Sequence, residues 1–254
     1  ESELNGIYDT NANKEGKLDK AGFLSLYNAI DDLFEDVDEE EDEEDRESEV
    51  KRALLAVLEQ WNRDEERLPC GLESTEEEDK QILRIATLLE KESSNRIQSS
   101  SGGGSVEQED LNGKWELLYT TSSAMKFNKG LSGIGGSFPN GKFGGLQQTL
   151  ISSRLISDVE YTERIDVNPS AASFDVRVTG NWDLRQSVSL FTGQPTTVFS
   201  FEPGQVIYGP TKTKADHWKS LGPLTMLDIT YLDNNLRIMR GNTATDSVFV
   251  FRRC

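Results

Sequence analysis

The sequence predicts a mainly β chain with an α-helical N-terminal part, its strands closing into an antiparallel β-barrel. Three observations carry that expectation. Apolar residues recur at helical spacing up to about residue 90, a Gly/Ser tract runs from Gln98 to Ser105, and beyond residue 110 the spacing switches to period two. The tract has the composition of a flexible tether. It sets a boundary near residue 110, ahead of the barrel over 111–254; before it an acidic helical extension, partly disordered, is expected over 1–67 and a helical lead-in with the tether over 68–110.

In chain order, Asp9, Asn11 and Asn13 are spaced like the first ligands of a calcium loop, but Gly16 comes late. The closing bidentate Glu is replaced by Lys20, or by Gly22 if one insertion is allowed, so an Asx-rich turn is expected in place of a calcium site. Phe23, Leu26, Tyr27, Ile30, Leu33 and Phe34 then predict an amphipathic helix over about 20–35, with Asp19 as N-cap. From Asp31 to Glu49 Arg46 is the only cation, and such a self-repelling run is expected to be solvated and disordered; a docking site for a basic partner is the alternative. Val50, Leu54, Val57, Leu58 and Trp61 form a second helical stripe. Ile82, Ile85, Ala86 and Leu89 form a third, opened by Thr75-Glu-Glu-Glu78 in the capping-box pattern.

After the tether come the alternating runs: Trp115, Leu117 and Tyr119; Val159, Tyr161 and Ile165; Phe174, Val176, Val178 and Trp182; Val188 and Leu190; Leu227, Ile229 and Tyr231; Leu236 and Ile238; Val248 and Val250. Asp233-Asn234-Asn235 marks a hairpin turn through the tolerance of Asn for positive φ. Phe249 and Phe251 stand opposite Val248 and Val250, a wall apolar on both faces, packed inside by its own side chains and outside by helices. With this many strands, closure is the simplest way to hide the edges.

Composition excludes several functions. Residues 1–110 hold 33 acidic and 12 basic side chains, and 111–254 hold 12 and 15, giving 12 − 33 = −21 and 15 − 12 = +3. A charge so placed repels a phosphate backbone, and nucleic acid is not expected as a partner. No run of about 18 apolar residues exists, so membrane contact is expected to be peripheral. The first residue is Glu, as in a processed start. Cys70 and Cys254 have no metal-type spacing and are expected as thiols. His217 is the only histidine, in Asp216-His-Trp218 with no nucleophile motif nearby; Asp158, Glu160 and Glu163 offer carboxylates on one strand, but Asp158 and Glu160 fall on its polar face and no acid/base pair is indicated. A non-enzyme without a metal site is expected.

Two blocks carry a family resemblance. Leu111-Asn-Gly-Lys-Trp-Glu-Leu-Leu-Tyr-Thr-Thr-Ser-Ser123 resembles the start of the plastid lipid-associated, or fibrillin, domain, and its Gly113-Lys-Trp115 is similar to the Gly-x-Trp that opens a lipocalin barrel. Leu227 to Asn242, followed by Val248 to Arg253, resembles the family's C-terminal hairpin and closing strand, and Gly71 to Glu90 its helical lead-in. The resemblance covers about 68–253 and implies a lipocalin-like barrel in a chloroplast, at thylakoids, at plastoglobules or in the stroma. It implies a protein that holds or contacts an isoprenoid, carotenoid, quinone or acyl lipid, with no certain cofactor. A non-catalytic subunit docking on a photosynthetic membrane complex or a plastid enzyme is the rival.

On this basis Gly113, Trp115 and Arg240 are expected at the barrel floor, with the Arg240 guanidinium stacked across the indole. The loop from Phe127 to Gly145 is glycine-rich yet apolar. Its Leu131, Ile134, Phe138 and Phe143 are expected either to gate the barrel or dip into lipid, or to pack on the barrel. Tyr119 and Trp182 complete the candidate ligand contacts, with core packing the alternative for each.

Overall fold

The computed structural model describes residues 43–64, 66–99, 106–137, 140–168, 172–189, 193, 195–209, 211–215, 219–241 and 247–254. The calcium-loop pattern, the helix expected over 20–35, much of the acidic run, Phe138 and His217 lie outside them. Two long helices come first, α1 (Glu43–Asn62) and α2 (Glu76–Ser99), then the single turn α3 (Gln108–Leu111) and β1 (Gly113–Thr120). The short helices α4 (Ser123–Asn128) and α5 (Ile134–Ser137) precede β2 (Gly141–Ser153), β3 (Ile156–Val167), β4 (Phe174–Val188) and β5 (Pro195–Tyr208). The last strands are β6 (Thr211–Lys214), β7 (Met226–Leu232), β8 (Leu236–Gly241) and β9 (Val248–Arg253). The strands pair in the order β4-β3-β2-β1-β9-β8-β7-β5-β6, and a further β4–β5 pairing closes all but β6 into an eight-stranded antiparallel barrel.

The wall is apolar on both faces because both are covered. Trp115, Leu117, Tyr161, Phe199, Phe249 and Phe251 point inward and fill the barrel. Leu118, Leu236, Ile238, Val248 and Val250 point outward, against Val50, Leu54 and Leu58 of α1 and Ile82, Ala86 and Leu89 of α2. The expected helical stripes therefore dock on the barrel's outer face. The capping box forms as read: Thr75 N–H donates to Glu78 Oε2 at 2.7 Å, and Glu78 N–H to Thr75 Oγ1 at 3.3 Å. Four acidic residues in that first turn favour the same end of the helix dipole.

The acidic run ends in order. Glu43 to Glu49 are helical, and buried Glu47 accepts a hydrogen bond from the Tyr231 hydroxyl at 2.8 Å. A carboxylate paired with a buried donor no longer resists folding as a solvated one does.

Of four register shifts among the described strand pairs, two, at β-bulges, alter the alternation expected for β1 and β7. Register shifts between Leu117 and Tyr119, and between Ile229 and Tyr231, so Tyr119 and Tyr231 leave the inner face and pair with Val250 and Ile238 of the outer one. The β7–β8 turn falls at Asp233 as expected, but by another device. The Asp233 carboxylate accepts the N–H groups of Asn235 and Leu236, each at 2.7 Å, and neither Asn takes a positive φ.

The seam between β1 and β2 is short. The two strands pair only from Gly113↔Leu150 to Glu116↔Gln147 and then part. Chain from the α1–α2 connection fills the gap: Thr120 N–H donates to Cys70 O at 3.0 Å, Cys70 Sγ to Leu117 O at 3.0 Å, and Asn62 Nδ2 to Leu118 O at 2.9 Å.

Candidate functional site

The floor of the barrel is built on Trp115. Gly113, two residues earlier, has φ 121°, and a Cβ there would lie 3.2 Å from Arg253 Nη1. The indole donates from Nε1 to Leu111 O at 2.8 Å, which ties α3 across the barrel end. Two guanidinium groups lie over the ring, Arg253 at 4.2 Å and Arg237 at 4.5 Å. Arg253 also donates to the carbonyl oxygens of Asp110, Asn112 and Asn234. Arg240 is not the stacking cation: alternation along β8 turns it outward, where it grips Glu90 of α2 at 2.7 Å. Arg237, three residues earlier, faces inward and is fully buried. Its Nη2 donates to Gln148 Oε1, and Gln148 Nε2 donates to the Tyr161 hydroxyl at 2.6 Å. Burial pushes the Arg237 guanidinium down to about 9.

At the opposite end, the glycine-rich loop packs inward. Leu131 and Phe143 are buried, and half-buried Ile134 packs against the same inner cluster. Glu163, on the inner face of β3, accepts the N–H groups of Leu131 at 3.0 Å and Ser132 at 2.8 Å. A side chain at Gly130 (φ 136°) would put its Cβ 2.2 Å from Glu163 Oε1, so only glycine allows this latch. Burial raises the Glu163 carboxyl above the ordinary range, outweighing the hydrogen bonds that favour its anion.

The remaining candidates separate. Trp182 lies inside, stacked on Phe199 at 5.6 Å and donating to Ile151 O at 3.3 Å. Tyr119 lies outside, beside Trp61 at 5.8 Å, with its hydroxyl on Asp79 of α2 at 2.7 Å. Of the described members of the sequence-derived set, Leu131, Ile134, Phe143 and Trp182 belong to the cluster inside the barrel and Tyr119 to the cluster under the helices.

Among the described residues the exposed large apolar side chains are Phe127 (89%), at the head of the glycine-rich loop, Val188, Met226 and a group of three at the β2–β3 hairpin. At the free end of the β2–β3 hairpin, on the floor side of the barrel, Leu155 is 94% exposed, Ile151 56% and Ile156 49%. Pairing of Ser153 with Ile156 and of Ile151 with Asp158 puts Ile151 and Ile156 on the same outer face, with exposed Arg154 at the turn. A separate groove of about 290 Å³ follows the β1–β2 seam, lined by Glu59, Arg63, Glu116, Arg252 and the bare backbone of Gly144 and Gly145.

The barrel, its Gly-x-Trp floor and its helical cover are what the sequence resemblance implied, and comparison with family models gives PAP_fibrillin over residues 48–252. The chain belongs to the fibrillin family. Searches of curated proteins and of solved structures returned no match. The fibrillin match begins ahead of the expected residue 68, and so takes in most of α1. Fibrillins are plastid-associated lipid proteins, generally structural and not catalytic. No helix among the described residues is long and apolar enough to cross a membrane. The fibrillin residues that sequence reasoning missed are Arg237, Gln148, Arg253 and the hairpin trio, and for Glu163 it missed the loop amides that the carboxylate holds. Only the trio left a signal, an apolar pair beside Arg154 between two strands.

Proposed function

We propose that this fibrillin is a non-catalytic plastid protein that rests on a lipid surface through the free end of the β2–β3 hairpin. The observation that carries this is Leu155, almost fully exposed at a turn where a soluble hairpin would place polar residues. Ile151 and Ile156 extend the same apolar face, and Arg154 beside them is suited to anionic headgroups while its stem stays in the apolar layer. Full burial of each such side chain gives about 1.5–3 kcal/mol, which suits reversible peripheral attachment. Thylakoid membranes and plastoglobules both offer such a surface.

The test is co-sedimentation with galactolipid vesicles, with and without phosphatidylglycerol. Leu155→Asp is expected to abolish sedimentation, and Arg154→Gln to remove only the part that depends on phosphatidylglycerol. Undiminished sedimentation of Leu155→Asp would show that the hairpin is not the contact. Docking on a protein complex is the second reading, favoured by the charged groove along the β1–β2 seam. It predicts that Arg63→Glu releases a protein partner while vesicle binding persists.

A further inference from the structure

The floor of the barrel holds donors without acceptors. The ring centres of Trp115 and Phe251 lie 4.5 Å and 4.7 Å from the Arg237 guanidinium carbon. Nη2 meets Gln148, but Nε and Nη1 find no acceptor. Gln148 in turn donates to Tyr161, whose own hydroxyl proton meets no acceptor among the described residues. Beside burial, two groups act on Arg237: Tyr161, which favours its cation, and a second cation, Arg253, which is already held by three carbonyl oxygens.

Buried polar groups in folded proteins are almost always paired, and a buried charge without a counter-ion is among the most costly arrangements a core can contain. The missing partner is therefore an acceptor and an anion. Around the donors the wall is apolar, with Leu150, Val159, Val178, Trp182, Phe199 and Met239 in the same buried cluster. A few convergent polar groups at the end of an apolar lining are the pattern of a site for an amphiphile.

We propose that the barrel floor binds the carboxylate of a long-chain acid, with Arg237 and Tyr161 donating to its oxygens and Gln148 holding both donors in place. A carboxylate supplies two acceptor oxygens and the neutralising charge; a quinone or ester carbonyl supplies no charge. Arg237 has no solvent exposure, so the acid enters by displacing side chains of the lining, of which unbranched Met239 yields most easily.

The test uses the full chain titrated with cis-parinaric acid, a fluorescent long-chain acid, and with its methyl ester. Wild-type protein is expected to show one saturable site for the acid. Arg237→Met is expected to weaken the acid by at least about tenfold and leave the ester unchanged, with Arg237→Lys in between. Leu155→Asp is expected to bind the acid like wild type, which separates this site from hairpin attachment to vesicles. Equal affinity of wild type and Arg237→Met for the acid, or no saturable site in wild type, overturns the proposal. A more stable Arg237→Met with unchanged acid affinity overturns it too, and assigns the guanidinium edge to an ordered water.

Discussion

Arg237 and Glu163 are both buried inside the barrel, and neither is paired with an opposite charge. Each strains the fold in a measurable direction. Glu163 has its carboxyl raised above the ordinary 4.5, so its neutral form is favoured in the fold. Its stabilising contribution is complete below that ordinary value and is lost as pH rises through the raised one. Thermal melts from about pH 4.5 upward should show wild-type stability falling, whereas Glu163→Gln, which cannot ionise, should lose this part of the dependence. Arg237→Met removes an uncompensated buried charge, and urea unfolding at neutral pH should show a gain on the order of 1–4 kcal/mol. Arg237 was not legible in the sequence, and Glu163 was legible only in part. In Leu236-Arg237-Ile238 the apolar pair marks the face under the helices, so the pattern assigns Arg237 to water; in fact the other face is the barrel interior. Glu163 shares its face with Tyr161 and Ile165 and was legible as inward, but its partners are backbone groups of a distant loop.

At the scale of elements, the two bulges convert tyrosines that alternation would turn inward into anchors for the helices. Tyr119 holds Asp79 of α2, and Tyr231 holds Glu47 of α1 together with Asp233 at 2.7 Å. Tyr231→Phe should cost about 1.5–3 kcal/mol in urea unfolding, the range for hydrogen bonds to charged groups. Leu54→Ala in the middle of α1 should cost about 2–5 kcal/mol, as for a buried leucine elsewhere. Six barrel strands (β1, β3, β4, β7, β8 and β9) and both long helices were legible because period two and period 3.6 survive in the sequence, whereas β2 and β5 were not read, and β2 begins at Gly141 inside the stretch expected as loop. The bulges were not, since one extra residue leaves no mark when both faces of the wall are apolar. The hairpin end belongs to this scale as well: circular dichroism of Leu155→Asp should match wild type even as vesicle binding is lost, because the residue touches little of the core.

For the molecule as a whole, the helices and the outer wall share one apolar cluster, although the sequence changes character near residue 110. Helical circular dichroism and tryptophan fluorescence should therefore fall together in a single urea transition. Two separate transitions would mean that the division by composition is also one of stability. Charge divides the chain more sharply than packing does, and composition reported only the charge. The narrow β1–β2 seam ties these layers mechanically. Its fastenings above Glu116 come from Asn62 and Cys70, which belong to the helical segment and not to either strand. Whatever pulls that segment outward also loosens the cylinder along its side, so the amide of Thr120, which donates to Cys70, should exchange with deuterium as soon as the helices lift. A protein that grasped α1 would hold a lever on the interior without entering it.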